Sequence, residues 1–180
     1  IDPVRFIGNN SSGKMGFAIA EELANQGAEV NLISGPTHLE INHPLIKITR
    51  ITSAEEMYNA SAAIFPSIDI AVLSAAVADF KPAVTANQKI KKTDANLTIE
   101  LVKTKDIAAE LGKIKKQNQF TVGFALETEN EMANAEKKIA SKNFDLIVLN
   151  SLNDAGAGFS HDTNKITVIN RKNEVQKFSL

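Results

Sequence analysis

Short apolar runs alternate with amphipathic stretches along this chain of 180 residues, and that alternation constrains the fold more than any other feature. Three runs of strand length carry few polar residues, namely 68–76, 120–126 and 144–150. Nearly unbroken apolar strands are typical of a parallel sheet that is covered on both faces. The pattern therefore predicts repeated strand–helix units and a three-layer α/β/α sandwich.

Local signals mark where the predicted helices begin and end. After the loop 8–13, apolar residues recur at helical spacing, and Gly27 is a natural stop. Two S/T-x-x-E capping boxes predict further helix starts. The boxes are Ser53 with Glu56 and Thr128 with Glu131, and we expect the second helix to end near Lys142.

Two regions depart from the alternation and complete the predicted architecture. Residues 81–92 hold four lysines and few apolar residues, which indicates an exposed flap around residues 81–96. Residues 97–102 alternate with period two, as a half-buried edge strand does. Alternating apolar residues on either side of 171–173 predict a C-terminal antiparallel hairpin. The predicted fold is therefore Rossmann-like α/β with a mainly parallel sheet, in a single domain over residues 1–180.

Composition excludes several kinds of chemistry. The chain has no cysteine, which excludes disulfides, cysteine-ligated zinc and a thiol nucleophile. Its 20 Lys and Arg residues balance 21 Asp and Glu residues, so there is no chain-wide electrostatic case for nucleic acid or an anionic membrane. No apolar run approaches the roughly 20 residues of a membrane-spanning helix. Any anionic ligand must therefore be bound by a local group of donors.

The loop and helix start at 8–15, GNNSSGKM, form the first candidate site. They match the phosphate-loop pattern except at Met15, which lacks the hydroxyl that ligates magnesium. A dinucleotide fingerprint fits less well, because the glycine spacing is wrong and no acidic ribose ligand follows the next strand. Small polar residues that lead into a helix still offer backbone N–H groups to a phosphate or an oxyanion. The alternative is that Ser11 or Ser12 merely caps the helix.

Two further segments are candidates for ligand binding. Asp79 follows small residues at the end of the most hydrophobic strand, where ligands of open α/β sheets bind, although a turn-forming aspartate is the alternative. The lysines of 89–92 can close over phosphates, or they can form a solvated surface. Lys138 and Lys142 stand four residues apart on one helical face, and the same two interpretations apply.

The remaining chemistry is activation by charge positioning. The three histidines lie in polar loops without metal-ligand spacing, and the chain contains no G-x-S-x-G elbow. Lysines, backbone donors and amides suit a nucleoside triphosphate that is attacked by an acceptor carboxylate.

Taken in order, these motifs resemble one family, phosphopantothenoylcysteine synthetase, the ligase of coenzyme A biosynthesis. The motifs are IDPVRFI at 1–7, NNSSGKMG at 9–16, AAVADF at 75–80, KIKK at 89–92, GFALET at 123–128, KNFDLI at 142–147 and GF at 158–159. Together they cover nearly the whole chain, which makes the resemblance more specific than any single motif.

The resemblance implies a two-step reaction. The carboxylate of 4'-phosphopantothenate attacks the α-phosphate of CTP, which gives an acyl-cytidylate and pyrophosphate, and the amine of cysteine then displaces CMP. It further implies Mg²⁺ held mainly by phosphates and a cytoplasmic homodimer or higher oligomer, with no nucleic-acid or membrane partner. A flavin-dependent phosphopantothenoylcysteine decarboxylase is the implied fusion or assembly partner.

The resemblance also implies roles for individual residues. Asn9 and Lys89 are the implied catalytic residues, with Asn9 at the acyl group and Lys89 on the triphosphate. The implied acyl-intermediate site adds Ser11, Ser12 and Gly13. The implied nucleotide pocket comprises Leu73, Ser74, Ala75, Asp79, Lys89, Lys105, Asp106, Ile107, Ala108, Phe124, Lys138 and Lys142.

The chain departs from the family pattern at three places. Gly8 replaces a common serine, and residues 104–107, TKDI, replace a common Asn-Pro-Asp-Ile. The family's first strand is absent before Ile1, so we expect a further strand upstream. Two other functions stay open: a non-catalytic nucleotide-binding module, and an NAD-dependent oxidoreductase, which the missing acidic ribose ligand disfavours.

Overall fold

The computed structural model describes residues 1–91, 96–127, 130–151 and 165–178. Within these ranges the chain forms four α-helices: α1 (Lys14–Asn25), α2 (Ala54–Ile64), α3 (Ile107–Ile114) and α4 (Glu131–Lys142). A short 3-10 helix, Phe65–Ser67, follows α2. The strands are β1 (Val30–Ser34), β2 (Ile46–Arg50), β3 (Ile70–Leu73), β4 (Phe80–Pro82), β5 (Leu101–Lys103), β6 (Phe120–Glu127), β7 (Leu146–Ser151), β8 (Ile166–Asn170) and β9 (Val175–Phe178).

The main sheet has five strands in the order β3-β6-β7-β8-β9. The first three run parallel to one another, and β8 and β9 continue the sheet in antiparallel fashion. Outside this sheet, β1 and β2 form a parallel pair, and β4 and β5 form an antiparallel pair. The predicted α/β class, with a mainly parallel sheet and a C-terminal antiparallel hairpin, is confirmed. Asn173 turns the hairpin at φ 59°, in the left-handed region that asparagine tolerates.

Two apolar clusters hold the layers together. The larger one packs α4 on the main sheet and comprises Ala125, Ala135, Ile139, Ile147, Leu149 and Ile169, all of which are buried. The smaller one joins the 3-10 helix to α3 through Phe65, Ile107 and Leu111. Because both clusters lie against the parallel strands, they hold the carboxyl ends of those strands in fixed relative positions.

Two helix ends follow directly from local sequence. The predicted capping box of α2 is present: Ser53 Oγ accepts from the Glu56 amide at 3.2 Å, and Glu56 Oε2 accepts from the Ser53 amide at 3.2 Å. Helix α1 ends before Gly27, whose φ of 94° suits a residue without a Cβ. The Ala28 amide then donates to the Leu23 carbonyl at 3.0 Å, which closes the turn.

The start predicted for α4 is wrong. The helix begins at Glu131, and its N-cap is Asn130 in the left-handed region, with no side-chain capping bond. Thr128, the predicted cap, lies outside the described residues. Glu131 therefore occupies the first helical position instead of the third, whereas the predicted end at Lys142 is confirmed.

Two predicted strands are less buried than their sequences indicated. The strand predicted at 68–76 is shorter, at Ile70–Leu73, and Ile70 is 56% exposed because β3 lies at the edge of the main sheet. The strand predicted at 97–102 is shorter and lies later in the chain, at Leu101–Lys103 (β5), and its three residues are all exposed rather than half-buried. Its partner is β4, so this pair stands apart from the main sheet as the base of the flap.

Candidate active site

The carboxyl ends of two parallel strands bring part of the predicted pocket together. Leu73 ends β3 and pairs with Gly123 of β6, so Phe124 is the next residue along β6. Ser74 and Ala75 continue from β3 at the same edge. Ligands of open α/β sheets bind at this edge.

The loop 8–13 lies against this edge through an asparagine. Asn9 Nδ2 donates to the Ala76 carbonyl, and Asn9 Oδ1 accepts from the Ser11 amide at 2.9 Å. The loop thus reaches a residue 67 positions away along the chain. Helix α1 also packs closely against this edge at Gly16. A Cβ added to Gly16 would lie only 3.1 Å from Ser74 Oγ.

The start of α1 differs from the capping alternative that the sequence left open. Its N-cap is Gly13, at φ 82°, and no side chain caps the helix. Ser12 Oγ makes only a long contact, 3.4 Å, with the Lys14 amide. Neither Ser11 nor Ser12 is therefore the N-cap of α1.

A second segment meets the same edge from the other side. Thr104 Oγ1 donates to the Ala78 carbonyl at 2.7 Å, and the Thr104 amide donates to the Asp79 carbonyl at 2.9 Å. These bonds fix the start of α3 beside Asp79, whose own side chain is exposed. From the sequence, Thr104 was only a departure from the family pattern, and its bridging role was missed because the Ala78 carbonyl lies 26 residues away.

Asp106 organises the start of α3. Its Oδ1 accepts from the Ala109 amide at 3.1 Å as the N-cap, and Lys142 Nζ lies 3.1 Å from Oδ2. Burial opposes ionisation, but the Ala109 amide and the Lys142 ammonium outweigh it and lower the pKa of Asp106. Lys142 therefore contacts the start of α3 through an ion pair, whereas Ile107 is buried in the smaller apolar cluster.

The other predicted cations differ in their surroundings. Lys105 Nζ lies 4.2 Å from the ring centroid of Tyr58, a cation–π contact with α2 that the sequence did not reveal. Lys138 lies one turn before Lys142 on α4. Ala108 lies in the first turn of α3, next to the buried Ile107.

Lys89 lies apart from the contacts described above. It lines a surface cavity of about 520 Å³ with Val4, Arg5, Ile90 and Lys91. No residue of the β3 end lines that cavity. The described contacts therefore join Asn9, 74–79 and 104–106 into one site, whereas Lys89 lines a separate cavity on the flap. The Gly158-Phe159 motif, His161 and Lys92 lie outside the described residues.

No protein-borne metal centre appears in the part of the chain that the structure describes, since no three His, Cys, Asp or Glu side chains come together there. Among the same residues, no helix is long and apolar enough to cross a membrane.

Comparison with known proteins decides the family. The family model described as "DNA/pantothenate metabolism flavoprotein C-terminal domain" matches residues 1–180. The chain belongs to this family. A crystal structure of the C-terminal domain of a coenzyme A biosynthesis bifunctional protein CoaBC is similar over 100% of this chain and 80% of that chain, with a TM-score of 0.83 and 39% identity. The family resemblance drawn from the motifs is thus confirmed.

Two curated relatives of this family member are about twice its length or more. A coenzyme A biosynthesis bifunctional protein CoaBC from Bacillus subtilis is 47% identical over 93% of this chain and 41% of its own length. A cysteine/cysteine sulfinic acid decarboxylase from an unknown prokaryotic organism is 54% identical over 100% of this chain and 50% of its own length. The chain therefore spans half or less of the length of these relatives.

Proposed function

We propose that this chain is a ligase domain that joins 4'-phosphopantothenate to cysteine at the expense of CTP. The observation that carries the proposal is the meeting of the Asn9 loop, the β3 end and the start of α3. An amide, exposed backbone groups and small residues thus stand together where an open α/β sheet binds ligands. Similarity to a CoaBC C-terminal domain supports the same activity.

In the proposed first step, a carboxylate oxygen of phosphopantothenate attacks the α-phosphorus of CTP, and the bond to pyrophosphate breaks. Asn9 orients that carboxylate: its Nδ2 carries two hydrogens, and the Ala76 carbonyl accepts only one of them. Lys89 offsets negative charge on the triphosphate as pyrophosphate leaves. This division leaves the protein to position reactants, with no covalent enzyme intermediate.

In the proposed second step, the amine of cysteine attacks the acyl carbon, the bond to CMP breaks, and the amine proton passes to solvent. The Asn9 amide then donates to the acyl oxygen. The thiol of the product comes from the cysteine substrate and takes no part in either step, and the chain itself contributes no thiol. Ser11, Ser12 and Gly13 lie on the same loop and would surround the acyl group.

The proposed nucleotide pocket uses the strand ends and the start of α3. The backbone at Leu73, Ser74 and Ala75 and the ring of Phe124 would contact the base and sugar, with Asp79 and residues 105–108 beside them. Lys138 and Lys142 would contact the phosphates or the ribose, and Lys142 would exchange its Asp106 partner for the ligand. Mg²⁺, which the resemblance implies is held mainly by the phosphates, would offset their negative charge. A homodimer and a flavin-dependent decarboxylase partner complete the proposal. The bifunctional relatives support the decarboxylase partner.

The test is pyrophosphate release from CTP or ATP, with and without phosphopantothenate, in a protein that contains residues 1–180. We expect release that requires phosphopantothenate and CMP formation that requires cysteine. CTP binding without pyrophosphate release would instead favour a non-catalytic nucleotide-binding module. A faster reaction with ATP would contradict the proposed base preference while leaving the ligase chemistry intact.

A further inference from the structure

A buried carboxylate connects the N-terminal segment to the lysine-bearing flap. The Asp2 side chain is 0% exposed, and five N–H groups donate to it. Oδ1 accepts from the amides of Val4 and Arg5, each at 2.9 Å. Oδ2 accepts from Arg5 Nε at 3.0 Å, from Arg5 Nη2 at 2.5 Å and from the Ile90 amide at 3.1 Å.

Asp2 and Arg5 hold one flap residue by both of its backbone groups. The Ile90 amide donates to Asp2, and the Ile90 carbonyl accepts from Arg5 Nη2 at 3.0 Å. A further tether runs from the Ala86 amide to the Ile1 carbonyl at 3.0 Å. The flap is therefore held at two backbone positions by a segment more than 80 residues away in the chain.

The held residue lies between two exposed lysines. Lys89 and Lys91 flank Ile90, and both line the same cavity as Arg5. Three cations around one cavity repel one another, and the Asp2 carboxylate offsets part of that repulsion. The Arg5 guanidinium, chiefly, and the amides of Val4, Ile90 and Arg5 outweigh burial and hold the pKa of Asp2 well below its usual range. The carboxylate is thus charged at any pH at which an enzyme of this kind works.

We propose that Asp2 is a positioning residue for Lys89, which it holds in place through Arg5 and the backbone of Ile90. The inference rests on the proposed function, because the ligase reaction is what gives Lys89 its role. The Asp2 side chain is buried, so we place it outside the contacts with substrate. Its removal should therefore affect turnover only through the position of the flap lysine.

Hydrogen exchange at the Ile90 amide tests the link directly and needs no substrate. In the unaltered protein, this amide should exchange at least tenfold more slowly than in an unstructured peptide. In Asp2→Asn, we expect exchange to become roughly tenfold faster, because a bond to a charged acceptor is lost. Glu55→Gln is the matched control: Glu55 also pairs with a flap lysine, Lys81, at 3.1 Å, but both side chains are exposed. We expect less than a twofold change there.

A double-mutant cycle tests whether Asp2 acts through Lys89. The four proteins are the unaltered chain, Asp2→Asn, Lys89→Gln and the double variant, compared by kcat/KM for CTP. We expect Asp2→Asn to lower kcat/KM by roughly tenfold alone and by less than twofold in the Lys89→Gln background. If the double variant instead loses the product of the two single fold-losses in kcat/KM, Asp2 and Lys89 act independently and the proposal is overturned. Asp2→Glu keeps the charge on a longer side chain and should retain more activity than Asp2→Asn.

The two measurements separate failure of this inference from failure of the proposed function. If no nucleotide yields pyrophosphate, the ligase proposal fails, while exchange at Ile90 still reports whether Asp2 holds the flap. Unchanged exchange in Asp2→Asn, with ligase activity present, overturns the positioning role alone. If Asp2→Asn does not fold, rapid Ile90 exchange in the unaltered protein would overturn the link without any variant.

Discussion

The two ends of the parallel sheet are built in opposite ways. At the amino end, Asp145 accepts from the Thr121 amide at 2.7 Å, lies 3.0 Å from Arg171 Nε and pairs with Lys115. The Lys115 side chain is 7% exposed and that of Asp145 is 20% exposed. At the carboxyl end, the Asn9 loop and Thr104 meet the β3 end through backbone carbonyls, while Asp79 and Ala75 are exposed.

The amino end of the sheet contributes to stability, whereas the carboxyl end forms the candidate site. The amino end satisfies its charges with partners inside the chain, so it has little capacity left for a ligand. Gln119 adds to it, since its buried side chain donates to the Ile68 carbonyl at 2.9 Å. The carboxyl end uses small residues and backbone bonds, which hold the loops together and leave room for a substrate. Substitutions at the two ends should therefore have distinct consequences.

The largest expected effect is on catalysis. Lys89→Gln should lower the turnover of CTP and phosphopantothenate by roughly 100-fold to 1,000-fold, because it removes the charge that we propose acts on the triphosphate. The free energy of unfolding should change by less than about 0.5 kcal/mol, because Lys89 is exposed. Pyrophosphate release and thermal melting measure the two quantities. If Lys89→Gln turns over as fast as the unaltered chain, the lysines of 89–92 form only a solvated surface.

The next effect is on stability at the opposite end. Asp145→Asn should lower the free energy of unfolding by about 2 to 3 kcal/mol, because the nearly buried Lys115 loses its carboxylate. Glu110→Gln, which breaks the exposed pair with Lys113, is the control and should cost less than about 0.5 kcal/mol. Urea titration checks both values. Similar losses in the two variants would contradict the distinction between the buried network and a surface pair.

The same carboxylate predicts how stability depends on pH. Burial opposes ionisation of Asp145, but Lys115, the Thr121 amide and Arg171 together lower its pKa. Because the folded pKa lies below the unfolded value of about 3.9, the interaction stabilises fully above that value and is lost as pH falls through the folded pKa. Acid unfolding of Asp145→Asn should therefore depend less steeply on pH below about 4 than that of the unaltered chain. Parallel curves would contradict this assignment.

The smallest expected effect tests the bridge between α3 and the β3 end. Thr104→Val removes the hydroxyl bond to the Ala78 carbonyl and keeps the amide bond to Asp79. We expect the affinity for CTP to fall by roughly fivefold, equivalent to about 1 kcal/mol, because the start of α3 is held less firmly. Calorimetric titration measures it. Unchanged affinity would mean that this segment does not contribute to the pocket.

Much of the fold could be predicted because its signals are local. The capping box of α2, the stop at Gly27 and the turn of the hairpin each depend on residues within a few positions of one another. The start of α4 was missed for a related reason. A Thr-x-x-Glu pattern resembles a capping box, but Asn130 adopts the left-handed conformation and begins the helix two residues later.

The sequence predicts which residues form the candidate site, and this stays a prediction, but it does not predict which of them contact one another. The motifs identified Asn9, Asp79 and Lys142, and the resemblance supplied their roles, which stay proposals. The partners of these residues, such as Ala76 for Asn9 and Asp106 for Lys142, lie 36 to 67 residues away. No spacing rule covers such distances, because the packing of α4 and the strands decides which side chains meet.

The sequence by itself determined the alternation of strands and helices, the lack of any protein thiol and the near balance of charge, since these depend on composition and short-range periodicity. Only the tertiary structure decided that Ile70 is exposed, that Lys115 is paired inside the protein and that Asp2 holds the flap. The physical reason is that burial and ion pairing depend on which distant segments the sheet brings together. The same Asp-x-x-Arg spacing on an open surface would hold nothing in place.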